Sequence, residues 1–128
     1  NTALRAANRA RDVRDWRLAV RYYREALAQR PENAPLWVQY GHALKESGNV
    51  AAAEEAYRKS IELAPSVADT HLQLGHALKL QDRKGAAAAA YLRGLKLDPG
   101  LQYASQELLG LGWTVTRIEQ ALRRSPVA

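Results

Sequence analysis

A 34-residue period runs through most of this chain and limits what it can fold into. Pro31, Pro65 and Pro99 follow one another at 34 residues (65 − 31 and 99 − 65). Tyr23, Tyr57 and Tyr91 keep the same spacing, as do Ala19, Ala53 and Ala87. Two stretches are near copies: Gln39-Tyr40-Gly41-His42-Ala43-Leu44-Lys45 and Gln73-Leu74-Gly75-His76-Ala77-Leu78-Lys79 agree at six of seven positions. A fixed period of this length marks a repeat architecture. One unit cannot bury its apolar face alone, so stability comes from stacking neighbours.

Each period holds two helices. The prolines end helical patterns, because proline lacks an N–H and restrains the residue before it. Gly48-Asn49 is a turn signal between two apolar-periodic runs, and Arg14-Asp15 and Asp82-Arg83 fall at the same phase with weaker turn chemistry. The pattern predicts helices at about 2–13, 16–29, 35–47, 51–63, 69–81 and 84–97. Short connections make neighbouring helices antiparallel. Gly41 and Gly75 each cost a helix about 1 kcal/mol relative to Ala, which is tolerable where a second helix must approach closely. Ala53 and Ala87 would offer that second helix's small surface. The three tyrosines are large enough to fill the junction with the next hairpin.

The pattern resembles the tetratricopeptide repeat (TPR), a 34-residue unit with W-x2-L-G-x2-Y in its first helix, then A-x3-F, then P. The second repeat supplies Trp37, Tyr40, Gly41, Leu44, Ala53, Tyr57 and Pro65. The third supplies His71, Leu74, Gly75, Leu78, Ala87, Tyr91 and Pro99. The first keeps Ala19, Tyr23 and Pro31, with Ala3 at the usual Trp and Ala7 at the usual Gly. The resemblance covers about residues 1–101 and implies an all-α chain, a right-handed TPR solenoid of three antiparallel helical hairpins plus C-terminal capping helices. The repeats then run 1–33, 34–67 and 68–101, with a divergent fourth helix and a capping helix over 102–128, in one domain overall.

After Pro99 the pattern changes. Leu101 to Leu109 reads as a short helix with Leu108 at the repeat's Leu phase, broken at Gly110-Leu111-Gly112-Trp113. Thr116 and Glu119 form a capping-box signature for a helix through about Arg124, with Ile118, Ala121 and Leu122 on one face. This tail is expected to cover the last repeat's apolar face, with Trp113 packed inward. A linker that leaves Trp113 partly exposed is the alternative. The chain begins at Asn1 without Met and is expected to be a piece of a longer protein.

In the TPR family the first helix of each hairpin lines a concave groove, and ligand contacts come from fixed positions on it. Carried over residue by residue, these give an apolar ladder of Leu4, Val38 and Leu72 and a polar ladder of Arg5, Gln39 and Gln73. A second polar ladder is Asn8, His42 and His76, and a basic one is Arg11, Lys45 and Lys79. Cations beside amide and imidazole donors suit an extended acidic peptide or a C-terminal carboxylate. The resemblance therefore implies a protein–protein interaction scaffold whose partner is a protein or peptide. The alternative for these side chains is that the cations are solvated and that Gln and His only bond between repeats.

TPR domains that clamp the acidic tails of cytosolic chaperones use Lys and Asn, then Asn, then Lys and Arg. Only Asn8 matches here; Leu4, Gln39, Leu72 and His76 stand at the other four positions, so that clamp is not expected. Ala43 to Glu46 (Ala-Leu-Lys-Glu) and the amides Gln39 and Gln73 resemble the TPR arrays of O-GlcNAc transferases and related bacterial glycosyltransferases, which carry an Asn ladder. That resemblance implies an alternative role as the substrate-recruiting or assembly region of a larger bacterial glycosyltransferase. A second alternative is a homo-oligomer formed through the terminal faces, because the first repeat lacks a polar N-terminal cap.

Composition narrows the remaining classes. The net charge of +6 divides as +4 (residues 1–33), −1 (34–67), +2 (68–101) and +1 (102–128). The excess is Arg5, Arg9, Arg11, Arg14, Arg17, Arg21 and Arg24, which span two helices and point several ways. A solvated face is expected from them, not specific nucleic-acid binding. There is no Cys, so disulfides and thiolates are excluded and the redox compartment is open, with the cytoplasm favoured. No apolar run approaches the roughly 20 residues of a membrane helix, so no membrane insertion is expected. No Gly-rich phosphate loop or G-x-S-x-G is present, and Glu54, Glu55 and Glu62 fall at exposed phases; no catalytic residue and no cofactor are expected. His71 and His76 are five apart, whereas ligands on one helix sit three or four apart, so no metal site is expected. His71 takes the usual Trp phase and reads as a packing residue. The Arg- and Ala-rich usage points to a GC-rich bacterial genome.

Overall fold

The computed structural model describes residues 1–124 and is helical throughout them. Its helices are α1 (Thr2–Asp12), α2 (Trp16–Gln29), α3 (Ala34–Glu46), α4 (Val50–Leu63), α5 (Ala68–Leu80), α6 (Lys84–Leu97), α7 (Gln102–Gly110) and α8 (Val115–Arg124). None of the described helices is long and apolar enough to cross a membrane. The chain divides into two compact units, Asn1–Pro65 with α1–α4 and Ser66 onward with α5–α8. The division falls between α4 and α5.

In the first unit every helix starts on a side-chain cap. Asn1, Asp15, Asn33 and Asn49 accept from the backbone N–H three residues on, at 3.2, 3.2, 3.1 and 3.3 Å. Each such cap is worth about 1 kcal/mol. In the second unit the same phases carry Val67 and Arg83, and neither α5 nor α6 has a side-chain cap. Before α8, Thr114 Oγ1 accepts from the Arg117 N–H at 3.1 Å. The cap is thus Thr114, not Thr116, and the helix starts two residues earlier than the capping-box pattern predicts.

The first helices of the hairpins end alike. Arg14, Gly48, Asp82 and Gly112 adopt φ of 61°, 94°, 60° and 96°. In each case the next N–H reaches back five residues, as in Asp15 N to Ala10 O (2.8 Å) and Asn49 N to Leu44 O (2.9 Å). Arg83 N to Leu78 O and Trp113 N to Leu108 O, both 3.0 Å, repeat the bond. This is a Schellman closure, which turns the chain into the next helix.

The core of each hairpin is a tyrosine laid on the first helix. Tyr23, Tyr57 and Tyr91 are fully buried. A Cβ added at Gly41 would stand 2.5 Å from Tyr57 Cε1, and one at Gly75 would stand 2.6 Å from Tyr91 Cδ1. The glycines therefore make room for the tyrosine of their own hairpin, whereas the sequence assigns that ring to the junction with the next hairpin. Further along, Ser60 Oγ donates to Ala34 O at 2.9 Å, and Gly94 lies against Ala68 and His71. His71 is buried, in keeping with a packing role. The last hairpin is shorter: α7 has 9 residues where α3 and α5 have 13. α8 buries Ile118, and the half-buried Trp113 lies beside Ala88 and Leu92 of α6 with the Arg117 guanidinium 3.7 Å over its ring.

Candidate functional site

The groove-ladder residues fall in both units. Leu4, Arg5, Asn8 and Arg11 on α1 and Val38, Gln39, His42 and Lys45 on α3 belong to the first; Leu72, Gln73, His76 and Lys79 on α5 belong to the second.

Two hydrogen-bond spacings organise these side chains. The first is 15 residues and stays within a hairpin. Tyr23 Oη donates to Asn8 Oδ1 at 2.9 Å, and His42 Nδ1 and His76 Nδ1 meet Tyr57 Oη and Tyr91 Oη at 2.7 and 2.9 Å. Both imidazoles meet their tyrosines edge-on with centroids 5.5 Å apart. Asn8, His42 and His76 are thus anchored from behind by a buried phenol. Burial pushes the Tyr23 hydroxyl above its ordinary pKa, with Arg11 opposing.

The second spacing is 28 residues and joins one hairpin's first helix to the next. Arg11 Nη1 donates to Gln39 Oε1 at 3.4 Å, while its Nε and Nη2 hold Asp12 Oδ1 at 3.1 and 3.0 Å. Lys79 Nζ donates in the same way to the Glu107 carboxylate on α7. Glu107 also accepts from Tyr91 Oη at 3.2 Å and lies 3.9 Å from His76 Nδ1. The Lys79 hydrogen bond holds this carboxyl below its ordinary range, against the opposing effect of partial burial. Burial first, and then Glu107, push Tyr91 up. Tyr91 has one hydroxyl proton and gives it to Glu107. Its oxygen therefore accepts from His76, which fixes the proton on Nδ1.

Glu107 is the site residue that the repeat pattern leaves out. It stands 34 residues beyond Gln73 (107 − 73), at the phase of Arg5, Gln39 and Gln73. The signal for it was to extend the polar ladder by one period into α7.

The basic ladder is not a row of three equivalent cations. Arg11 is engaged by Asp12 and Gln39, and Lys79 by Glu107. Lys45 has no hydrogen bond or ion pair among the described residues and is half-buried, and Arg5 is exposed. Leu4, Asn8, Arg11, Leu36 and Gln39 lie around a cleft of about 230 Å³ between α1 and α3. The amide oxygens of Asn8 and Gln39 are already used as acceptors, so their NH₂ groups are what they offer a ligand.

Comparison with known proteins places these features in a family. The model of the middle TPR-like domain of cilia and flagella-associated protein 70 matches residues 4–120. No curated protein matches the chain. Among solved structures, the first TPR of Spaghetti (RPAP3) bound to an HSP90 peptide is 21% identical, with a TM-score of 0.81 over 87% of this chain and 88% of that one. The second TPR domain of human RPAP3, in complex with an HSP70 peptide, is 20% identical, with a TM-score of 0.81 over 88% and 93%. A Thermobaculum terrenum O-GlcNAc transferase mutant is 24% identical, with a TM-score of 0.74; the match covers 86% of this chain and 21% of the enzyme. At these identities the structures share the fold.

Proposed function

Because the chain belongs to the TPR-like family of the cilia and flagella-associated protein 70 middle domain, we propose that it is a protein-interaction scaffold that binds an extended acidic peptide along the first helices of its hairpins. The observation that carries this is Glu107, a carboxylate seated on Lys79, Tyr91 and His76. The same three residue types stand one period earlier as Lys45, Tyr57 and His42, with the His–Tyr bond equally short at 2.7 Å. A side-chain set that holds a carboxylate within the chain has the chemistry to hold one from a ligand. The amide NH₂ groups of Asn8 and Gln39 would take the carbonyls of an extended backbone. The RPAP3 domains of like fold are bound to chaperone peptides, in keeping with a peptide-binding role.

The test is a fluorescence-anisotropy titration with two labelled peptides, one Glu/Asp-rich with a free C-terminus and one in which Lys replaces the acids. The acidic peptide is expected to bind, to weaken about tenfold in Lys45→Glu and to weaken with added salt. Equal binding of both peptides, or no change in Lys45→Glu, would overturn the proposal. Lys45 suits charge reversal better than Lys79, whose reversal would also strip Glu107 of its partner.

A further inference from the structure

The first unit carries a second concavity, on the other side of α3. Trp37, Tyr40 and Leu44 lie at i, i+3 and i+7, on the face turned away from Val38, Gln39, His42 and Lys45. They floor a cleft of about 640 Å³ whose walls are α2 and α4. Ligand sites span about 300–1,000 Å³. The walls present Ala28, Ala52 and Ala56, whose short side chains leave the space between the helices open.

The floor is held in place before anything enters it. Trp37 Nε1 donates to Pro31 O at 2.8 Å, and the Trp37 and Tyr40 rings meet edge-on with centroids 6.0 Å apart. Arg24 Nε donates to Tyr40 Oη at 3.3 Å. The indole N–H is already paired, so an apolar group placed on the ring strands no donor.

The rim is asymmetric in charge. Arg24 lines the cleft, and Arg17 and Arg21 precede it in the same row of α2 at i−7 and i−3, on the face that also carries Ala28. All three are exposed, and none forms an ion pair among the described residues. On α4 the rim carries Glu55 and Lys59, and Lys59 bridges Glu62 at 3.5 Å. The uncompensated positive charge is therefore on the α2 side. This gives part of the N-terminal arginine excess a location beside an apolar cleft.

We propose that the cleft between α2 and α4 docks an amphipathic helix of a partner protein, with a bulky apolar side chain on Trp37 and Tyr40 and carboxylates along the edge facing Arg17, Arg21 and Arg24. A groove walled by two helices and floored by aromatic rings suits a helix better than an extended strand, and the arginine row selects the acidic edge.

The experiment is selection of binders from a displayed library of short helical peptides against the whole chain, followed by titration of the selected sequences. The expected binders carry Trp, Phe or Leu on one face and Glu or Asp on the adjoining edge. Their affinity is expected to fall about tenfold or more in Arg17→Glu/Arg21→Glu, and as far in Ala28→Trp, which plugs the cleft from an exposed position. Arg123→Glu, an exposed charge reversal on α8, is expected to leave it unchanged. Failure to select any binder, binders without acidic residues, or binding indifferent to both cleft variants would overturn the proposal. If Ala28→Trp does not fold, the arginine double variant decides alone. A concentration-dependent dimer of the chain that is abolished by either variant would make a second copy the occupant, which also overturns it.

Discussion

The Glu107 carboxylate on α7 is held by the Lys79 ammonium of α5, 28 residues earlier in the chain. The pair is partly exposed, with about a quarter of the Glu107 side chain and two-fifths of the Lys79 side chain accessible, so solvent screens it and its net worth is about 1 kcal/mol or less. The sign of its pH dependence follows from the lowered pKa of Glu107. Such a group contributes stability above its unfolded pKa, near 4.5, and the contribution is lost as pH falls through the lower folded value. Glu107→Gln is therefore expected to lower stability at pH 7 by up to about 1 kcal/mol, with the gap from wild type closing in acid. Urea melts of both proteins at pH 7 and pH 3 check this; an equal gap at both pH values would contradict it.

Gly41 and Tyr57 are expected to be coupled through His42. Gly41→Ala gains helix propensity of about 1 kcal/mol but drives a methyl into the Tyr57 ring, an overpacking cost of about 1–3 kcal/mol. The net expectation is a loss of roughly 1 kcal/mol. The first hairpin shows a compatible set: Ala7 at the glycine phase, with Tyr23 bonded to Asn8 instead of an imidazole. Adding His42→Asn to Gly41→Ala is therefore expected to cost less than the sum of the single changes, by about 0.5–1 kcal/mol. A double-mutant cycle on denaturant stabilities measures it.

Val67 precedes α5 at φ −92°, ψ 104°, close to the φ −82°, ψ 94° of Asn33, which caps α3 one period earlier. Val67 is exposed and its backbone is already placed for capping. Val67→Asn is expected to stabilise the chain by about 1 kcal/mol, read as a higher urea midpoint at unchanged slope.

Arg14 and Asp82 hold the left-handed conformation that Gly48 holds at the same phase. A residue with a side chain is strained there by about 1–2 kcal/mol. Arg14→Gly and Asp82→Gly are each expected to gain roughly 0.5–1 kcal/mol after glycine's greater unfolded-state freedom is subtracted. Gly48→Ala is expected to lose a comparable amount. Thermal melts of the three variants give the order.

The elements were largely legible in the sequence because they depend on local chemistry repeated in phase. The helices start and stop within about two residues of where proline, the turn pairs and apolar spacing put them, and the left-handed residue recurs at the turn phase even where it is not glycine. The site was legible as positions and not as bonds. Nothing in the spacing says that Asn8 and His42 are tethered to tyrosines, because rotamers and packing depth set that. Glu107 was hidden by the shortening of α7, which breaks the repeat just past it. Thr116 has the right partner for a capping box, but the closure of the turn at Trp113 brings Thr114 into the cap position. The cleft over Trp37 and Tyr40 is not legible in the repeat phase: those residues match the family pattern as packing positions, and the open space beside them depends on the short side chains of Ala28, Ala52 and Ala56 on two other helices.

The two bond spacings have different fates when the chain is copied. The 15-residue bonds between Asn8 and Tyr23, His42 and Tyr57, and His76 and Tyr91 lie wholly inside one hairpin. A duplicated or deleted hairpin carries its own bond with it, intact. The 28-residue bonds belong to a junction, and every rearrangement gives the cation a new neighbour. Arg11 meets an amide and Lys79 a carboxylate. The phenol anchor is thus heritable as a module, while the charge that each hairpin shows the outside is settled by whichever hairpin comes next.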